Sequence, residues 1–253
     1  MDITEEIISK MQFPLIVKPV DRSGSRGITK VVDKKELENA IRIAEELSFD
    51  KKAMIEEFVE GQEYSVEYIS YCGKHTFLAL TKKYTTGAPH FIETGHVQPA
   101  EVSEEILKKI KGIVEHALDT LMIKNGASHS EIKISESGEI KIIEIGGRMG
   151  GDFIGSTLVE LSTGFDFVDA VIDIAMGKAP NVSKKHERCA AGRFVFSEDD
   201  VKVLDEMKQN NPSIIYDETV NEITDSEVLC SGDRFGYFVF SDEAENDISQ
   251  YLL

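Results

Sequence analysis

Apolar and polar positions along this chain switch between two periods. Leu15, Ile16 and Val17 form a short unbroken apolar run that reads as a strand over 14–19, interrupted by Lys18. A loop with glycines at 24 and 27 follows, then a second β-branched run over 28–32. After Asp33 the period lengthens. Leu37, Ala40, Ile41, Ala44 and Leu47 recur at helical spacing, and Asp33 with Glu36 three positions on forms a capping-box start. The stretch AMIEEFVEGQEYSVEYISYCGKHTFLALTKK predicts a strand to Phe58, a break at Gly61 and a hairpin turning at Cys72-Gly73. The polar stretch YTTGAPHFIETGHVQPA reads as a long loop. Ser103 then caps a helix with the stripe Ile106, Ile110, Ile113, Val114, Ala117, Leu118 and Leu121. SHSEIKISESGEIKIIE predicts a second hairpin, and GGRMGGD a glycine-rich turn leading into helix. Residues 188–241 read as strands around one helix near 198–208, and residues 1–12 as a short helix. Helices alternate with hairpins throughout, which predicts an α+β fold of antiparallel sheets with helices packed on them.

Charge and composition narrow the function classes. The net charge of −18 disfavours a nucleic-acid surface, which needs net positive charge on some face. No stretch approaches the ~20 apolar residues of a membrane span, and MDITEEIISK lacks the basic and apolar regions of a signal peptide. The three cysteines, Cys72, Cys189 and Cys230, are odd in number and far apart, as expected of reduced thiols in a cytoplasmic setting.

Candidate chemistry gathers at four places. Lys18 ends an apolar strand, where an ammonium group either reaches solvent, pairs with a local carboxylate, or meets an anion. The loop DRSGSRG after it can offer backbone N–H groups, hydroxyls and a guanidinium to phosphate oxygens, although it is neither a Walker loop nor a dinucleotide fingerprint. The segment MIEEFVEGQE exposes alternate backbone groups that could read a planar base, with acids placed to accept from sugar hydroxyls; a solvated acidic edge is the plainer reading. Glu131 and Glu144 form the third place. With Ser137-Gly138 as a two-residue turn they stand directly opposite on one face, about 5 Å apart at Cβ, and a cation between them would relieve their repulsion. Mg²⁺ takes such carboxylates together with substrate phosphates. A three-residue loop bulged at Gly138 instead pairs Ile132 with Ile142 and Ile134 with Ile140, splitting the glutamates between faces. Spacing alone leaves both registers open. The fourth is Arg148 on the glycine-rich turn. His96 and His129 lack metal-ligand spacing and read as hydrogen-bonded structural histidines.

Taken in order, the strand lysine, Gly/Ser loop, Glu-Glu-apolar edge, G-x-E, paired acids and arginine resemble the ATP-grasp superfamily. The likeness is strongest to its carboxylate–amine ligase branch, similar to L-amino-acid ligases, D-alanine–D-alanine ligase and the biotin carboxylase and carbamoyl-phosphate synthase domains. It runs from about Pro14 to Pro180, and GYFVFSD resembles the branch's closing strand. The resemblance implies two α+β subdomains clasping the nucleotide. They would be a small subdomain over 1–60 with a glycine-rich lid and a large one over 61–187 with the metal site, followed by a mainly β segment over 188–253 packed on the large subdomain. It further implies ATP and Mg²⁺, with Mn²⁺ as a substitute, and activation of a small carboxylate as an acyl phosphate for attack by an amine. Residue by residue, Lys18 resembles the lysine on the α/β-phosphates, and Ser23, Gly24, Ser25 and Gly27 the mobile phosphate loop. Glu56, Glu57, Phe58 and Val59 resemble the adenine-reading segment, and Glu63 the ribose-binding acid. Lys83, or less well Lys82, would be a further phosphate contact. Glu131 and Glu144 match the metal acids, Arg148 the arginine steadying the transferred phosphate, and FIETGHVQPA a substrate-side loop, with His96 in it.

Two departures stand out. Gly146 replaces the Asn that many relatives use as a third ligand, which leaves one or two metal ions open. Relatives also carry a Rossmann-like domain before the strand lysine, so the chain is expected to be an excised piece or one half of a split enzyme. A separate chain with that domain and a homodimer are both candidate partners. The alternative to a ligase is a nucleotide-binding partner without catalysis of its own.

Overall fold

The computed structural model describes residue 8, residues 10–244 and residues 246–252. Most of the expected N-terminal helix lies outside them. The described residues fall into two units, one made of those up to residue 59 with 85–93 and 224–234, the other of 60–84, 94–223 and those from 235 on.

In the first unit, β1 (Leu15–Pro19) sits between β2 (Thr29–Val31) and β3 (Ala53–Glu57) in an antiparallel sheet. Strand alternation turns Leu15 and Val17 inward, both fully buried, and leaves Ile16 and Lys18 on the other face. The inward face packs against α1 (Lys34–Leu47) through Leu37, Ala40 and Ala44. The helix starts where expected. Asp33 accepts hydrogen bonds from the backbone N–H groups of Lys35 and Glu36, and the Glu36 carboxylate accepts from Val32 N–H.

The second unit is built on eight strands in the order β10-β11-β9-β6-β5-β4-β7-β8. They are β4 (Gln62–Tyr71), β5 (Lys74–Thr85), β6 (Glu93–Gln98), β7 (Gly126–Ile134), β8 (Ile140–Gly146), β9 (Arg188–Val195), β10 (Ile215–Val220) and β11 (Gly236–Glu243). The β4–β5 hairpin turns at Cys72-Gly73, both with positive φ (51° and 77°), the signature of a primed two-residue turn. One face of the sheet buries Tyr64, Val66, Tyr68, Leu80 and Ile132 against Ile110, Val114 and Leu118 of α2 (Glu104–Thr120). Burying each such Leu or Ile contributes about 1.5–3 kcal/mol. After β8 come a π-helical turn (Ile154–Leu158), α3 (Val159–Thr163) and α4 (Phe167–Ala175), and α5 (Glu198–Asn210) follows β9. The fold is α+β with antiparallel sheets, as the alternation of periods predicts.

Two expectations are corrected. The stretch 84–100 is not a continuous loop, because β6 runs through it as an interior strand paired with β9. It escapes a period-two reading because Gly95, His96, Val97 and Gln98 are all buried, whichever way they point. In α2 the buried stripe is narrower than the apolar one: Ile113 lies exposed, and so does Leu121, which caps the helix from just past its end.

Candidate functional site

The first unit holds the predicted residues of the Gly/Ser loop and its flanks. Lys18 follows the buried run of β1, and its Nζ lies 2.6 Å from Glu56 Oε2 on neighbouring β3. Of the readings open to a strand-end lysine, pairing with a local carboxylate is the one this structure adopts. Gly24 (φ +66°) and Ser25 (φ +58°) give the loop a left-handed stretch that glycine supports at little cost. The loop is tied at two points: Ser25 Oγ donates to Phe91 O at 2.9 Å, and Ser231 N–H donates to Gly24 O at 3.0 Å. Ser23 lies in the same loop. Glu57 is exposed and accepts from Gln12 N–H, while Phe58 lies 5.8 Å from the Phe91 ring with Lys30 Nζ over its face. Val59 closes the segment, half-buried.

In the second unit, strand register sorts the polar groups onto one face. In the β4–β7 ladder Glu67 pairs with His129, Ser65 with Glu131 and Glu63 with Lys133, while Ser65 also pairs with Thr81 of β5. Alternation therefore brings Glu63, Glu67, Lys83, His129 and Glu131 to the face opposite the α2-packed core. There the Lys83 ammonium, only 3% exposed, lies 2.7 Å from Glu63 Oε1 and 2.8 Å from Glu131 Oε1. Lys82 points to the other face, over the Tyr84 ring. The hairpin resolves its two candidate registers by using both. From Ile134–Ile140 to Ile132–Ile142 the isoleucines face each other, then a bulge after Glu131 restores the alignment that sets Glu131 opposite Glu144. The bulge satisfies core packing and the carboxylate pair in turn.

Electrostatics at this face centre on Glu131 and His129. Partial burial pushes the Glu131 carboxyl up, but the Lys83 ammonium and the His129 ring outweigh it and hold the group well below its ordinary range. Burial opposes charge on His129 too, yet hydrogen bonds to Glu131 and Glu67 raise it to about 9. Glu144 is exposed. Arg148 is exposed as well, its Nη1 donating to Met149 O at 2.8 Å, and no described contact joins it to Glu144. His96 is fully buried beside the Phe194 ring. Glu67 is the residue that sequence reading missed. It reads as one more strand glutamate, and its partners lie 62 and 83 positions away.

Residues 11–156 match the family model of the ATP-grasp domain. The chain belongs to the ATP-grasp family. Among curated relatives, the D-alanine–D-alanine ligase of Christiangramia forsetii is 34% identical over 148 residues, covering 56% of this chain and 44% of its own length. This ATP-grasp chain thus spans under half of that relative. Its fold also matches the crystal structure of an L-amino acid ligase from Bacillus licheniformis, with a TM-score of 0.77 and 24% identity over 96% of this chain and 61% of that one. An N5-carboxyaminoimidazole synthetase from Staphylococcus aureus, solved in complex with ADP, matches at a TM-score of 0.69 and 16% identity, covering 97% of this chain and 61% of that one. Both likenesses establish the ATP-grasp fold. No helix among the described residues is long and apolar enough to cross a membrane.

Proposed function

We propose that this chain carries the nucleotide- and metal-binding residues of an ATP-dependent carboxylate–amine ligase. The observation that carries the reading is the polar face of the second unit, where Lys83 bridges Glu63 and Glu131 while Glu144 stands opposite Glu131. Two opposed carboxylates with a part-exposed member suit Mg²⁺, which is held by one or two protein carboxylates plus substrate phosphates. An all-protein cage does not fit, since no group of three or more His, Cys, Asp or Glu able to hold a metal occurs among the described residues. A divalent cation held by Glu131 and Glu144 would neutralise phosphate charge.

The remaining roles belong to the chain's own groups. Lys18, freed from Glu56 by a competing phosphate, offers a positive charge to the triphosphate. The loop Ser23–Gly27 offers N–H groups and hydroxyls, and Lys83 a further cation. Glu56 to Val59 present backbone to the adenine, Glu63 accepts from the ribose, and Arg148 steadies the transferred group. In the reaction a substrate carboxylate oxygen bonds to the γ-phosphorus as the bond to the β,γ-bridging oxygen breaks, giving an acyl phosphate and ADP. An amine then displaces phosphate. Phosphoryl transfer of this kind needs positioning and charge stabilisation more than covalent help from the protein.

Calorimetric titration with Mg²⁺–ATP tests the binding half, with micromolar-to-millimolar affinity expected and a loss of tenfold or more in Lys18→Ala. Equal titrations for both proteins would refute it. ADP release against a panel of small acids and amines tests the chemistry. Binding without turnover across the panel would favour the alternative, a nucleotide-binding partner lacking catalysis of its own.

A further inference from the structure

The Glu67 carboxylate is buried at 0% exposure in the middle of β4, between two elements it does not belong to. Its Oε1 meets His129 Nδ1, and its Oε2 accepts from Gly150 N–H at 3.0 Å. His129, 5% exposed, turns its other nitrogen toward Glu131 Oε1 at 3.4 Å. Gly150 closes the glycine-rich turn that carries Arg148, and it sits against the pair so tightly that an added Cβ would lie 2.8 Å from both Glu67 Oε1 and His129 Nδ1. One buried carboxylate therefore fixes, on one side, the ring that abuts Glu131 and, on the other, the backbone of the Arg148 turn.

A carboxylate serves both contacts at once. Gly150 N–H and the His129 ring both present donors, so Glu67 must accept at each oxygen. A glutamine of the same shape offers one accepting oxygen and one donating amide, so one contact is opposed unless the His129 ring changes tautomer to accept at Nδ1. Through His129 and Lys83, both contacts on Glu131 fall on Oε1, leaving Oε2 outside them. A cation arriving at Glu131 meets a carboxylate whose orientation is already set, and ordering it then costs little entropy.

We infer that Glu67 and His129 are positioning residues for the divalent-cation site: neither touches the cation, and together they hold Glu131 and the Arg148 turn in binding geometry. The inference rests on the reading that Glu131 and Glu144 bind the metal. Outer partners of this type commonly change metal affinity by about 10–100-fold.

Free Mn²⁺ is measured by electron paramagnetic resonance while each protein is titrated at a fixed ADP concentration, with protein-free controls. Wild type, Glu131→Gln, Glu67→Gln, His129→Gln, the Glu67→Gln/His129→Gln double variant and Tyr68→Phe are compared, each with its melting temperature. Glu67→Gln and His129→Gln should each weaken Mn²⁺ binding about tenfold or more, and the double variant no more than the stronger single, because the two act as one unit. Tyr68→Phe, on the opposite face of the same strand, should keep wild-type affinity. Should one single variant not fold, the other and the Tyr68 control decide. If wild type and Glu131→Gln bind Mn²⁺ alike, the underlying metal reading fails. If Glu131→Gln loses binding while the folded Glu67 and His129 variants stay within twofold of wild type, this inference fails. It fails equally if Tyr68→Phe loses as much as they do.

Discussion

Replacing Lys83 by Met removes an ammonium that bridges two acids on the polar face, while keeping most of the buried stem. Its ammonium lies 2.7 Å from Glu63 and 2.8 Å from Glu131. Each pair contributes on the order of 6 kcal/mol of gross attraction at an effective dielectric near 20, and desolvation of the ammonium cancels much of it. Removing one partner of a buried pair typically costs about 3–5 kcal/mol. The lower end applies here, because 19% of the Glu63 side chain and 26% of that of Glu131 remain accessible. About 3 kcal/mol at roughly 2–4 °C per kcal/mol predicts a melting temperature lower by roughly 6–12 °C for the second unit. The pH dependence follows from Glu131. Its carboxyl is depressed below 4.5 in the fold, so its stabilisation is present above pH 4.5 and is lost as pH falls through the depressed value. Without Lys83 that depression weakens, so the gap between variant and wild type should be full at pH 7.5 and narrow only as pH falls through the variant's own Glu131 value toward the lower wild-type one. Scanning calorimetry in a series from pH 7.5 into the acid range reads both. A loss under about 2 °C at pH 7.5, or a gap that stays unchanged down to the lowest pH at which both proteins still melt cooperatively, would refute the reasoning.

The other predictions concern the scaffold. Burial, then the charge and hydrogen bond of Glu115 at 3.1 Å, raise the Tyr68 phenol well above 10. Its contribution is therefore intact below pH 10 and lost as pH rises beyond it. Tyr68→Phe should be less stable by about 1 kcal/mol at pH 8 yet decline less steeply above pH 10 in denaturant titrations; parallel declines would contradict this. Gly61 has φ +133°, and a Cβ there would lie 2.4 Å from Ile134 O, whereas Gly73, also at positive φ, has nothing within 4 Å. Gly61→Ala should cost more than about 2 kcal/mol and Gly73→Ala about 1 kcal/mol, and equal losses would show that conformation alone sets the cost.

What could be read in the sequence was local. Asp33 announces α1, and Cys72-Gly73 announces a turn whose residues both adopt positive φ. The β7–β8 hairpin offered two registers, and the fold uses each on one side of a bulge, an outcome that spacing arguments framed as a choice. The gathering of Glu63, Lys83 and Glu131 needed the relative registers of three strands, which no single window contains. β6 was missed because both its faces are covered, so polar His96 and Gln98 are buried where alternation predicts solvent. Glu67 was missed for a related reason: an acid in a strand signals exposure unless its distant partners are known.

The central claim is that Glu131 and Glu144 jointly hold a divalent cation against a nucleotide. Anomalous diffraction from crystals grown with Mn²⁺ and ADP locates that ion directly. The account predicts a manganese peak about 2.0–2.3 Å from carboxylate oxygens of both residues, with an ADP phosphate oxygen completing its shell. A manganese peak elsewhere, or ADP bound with neither carboxylate touching the ion, would contradict it.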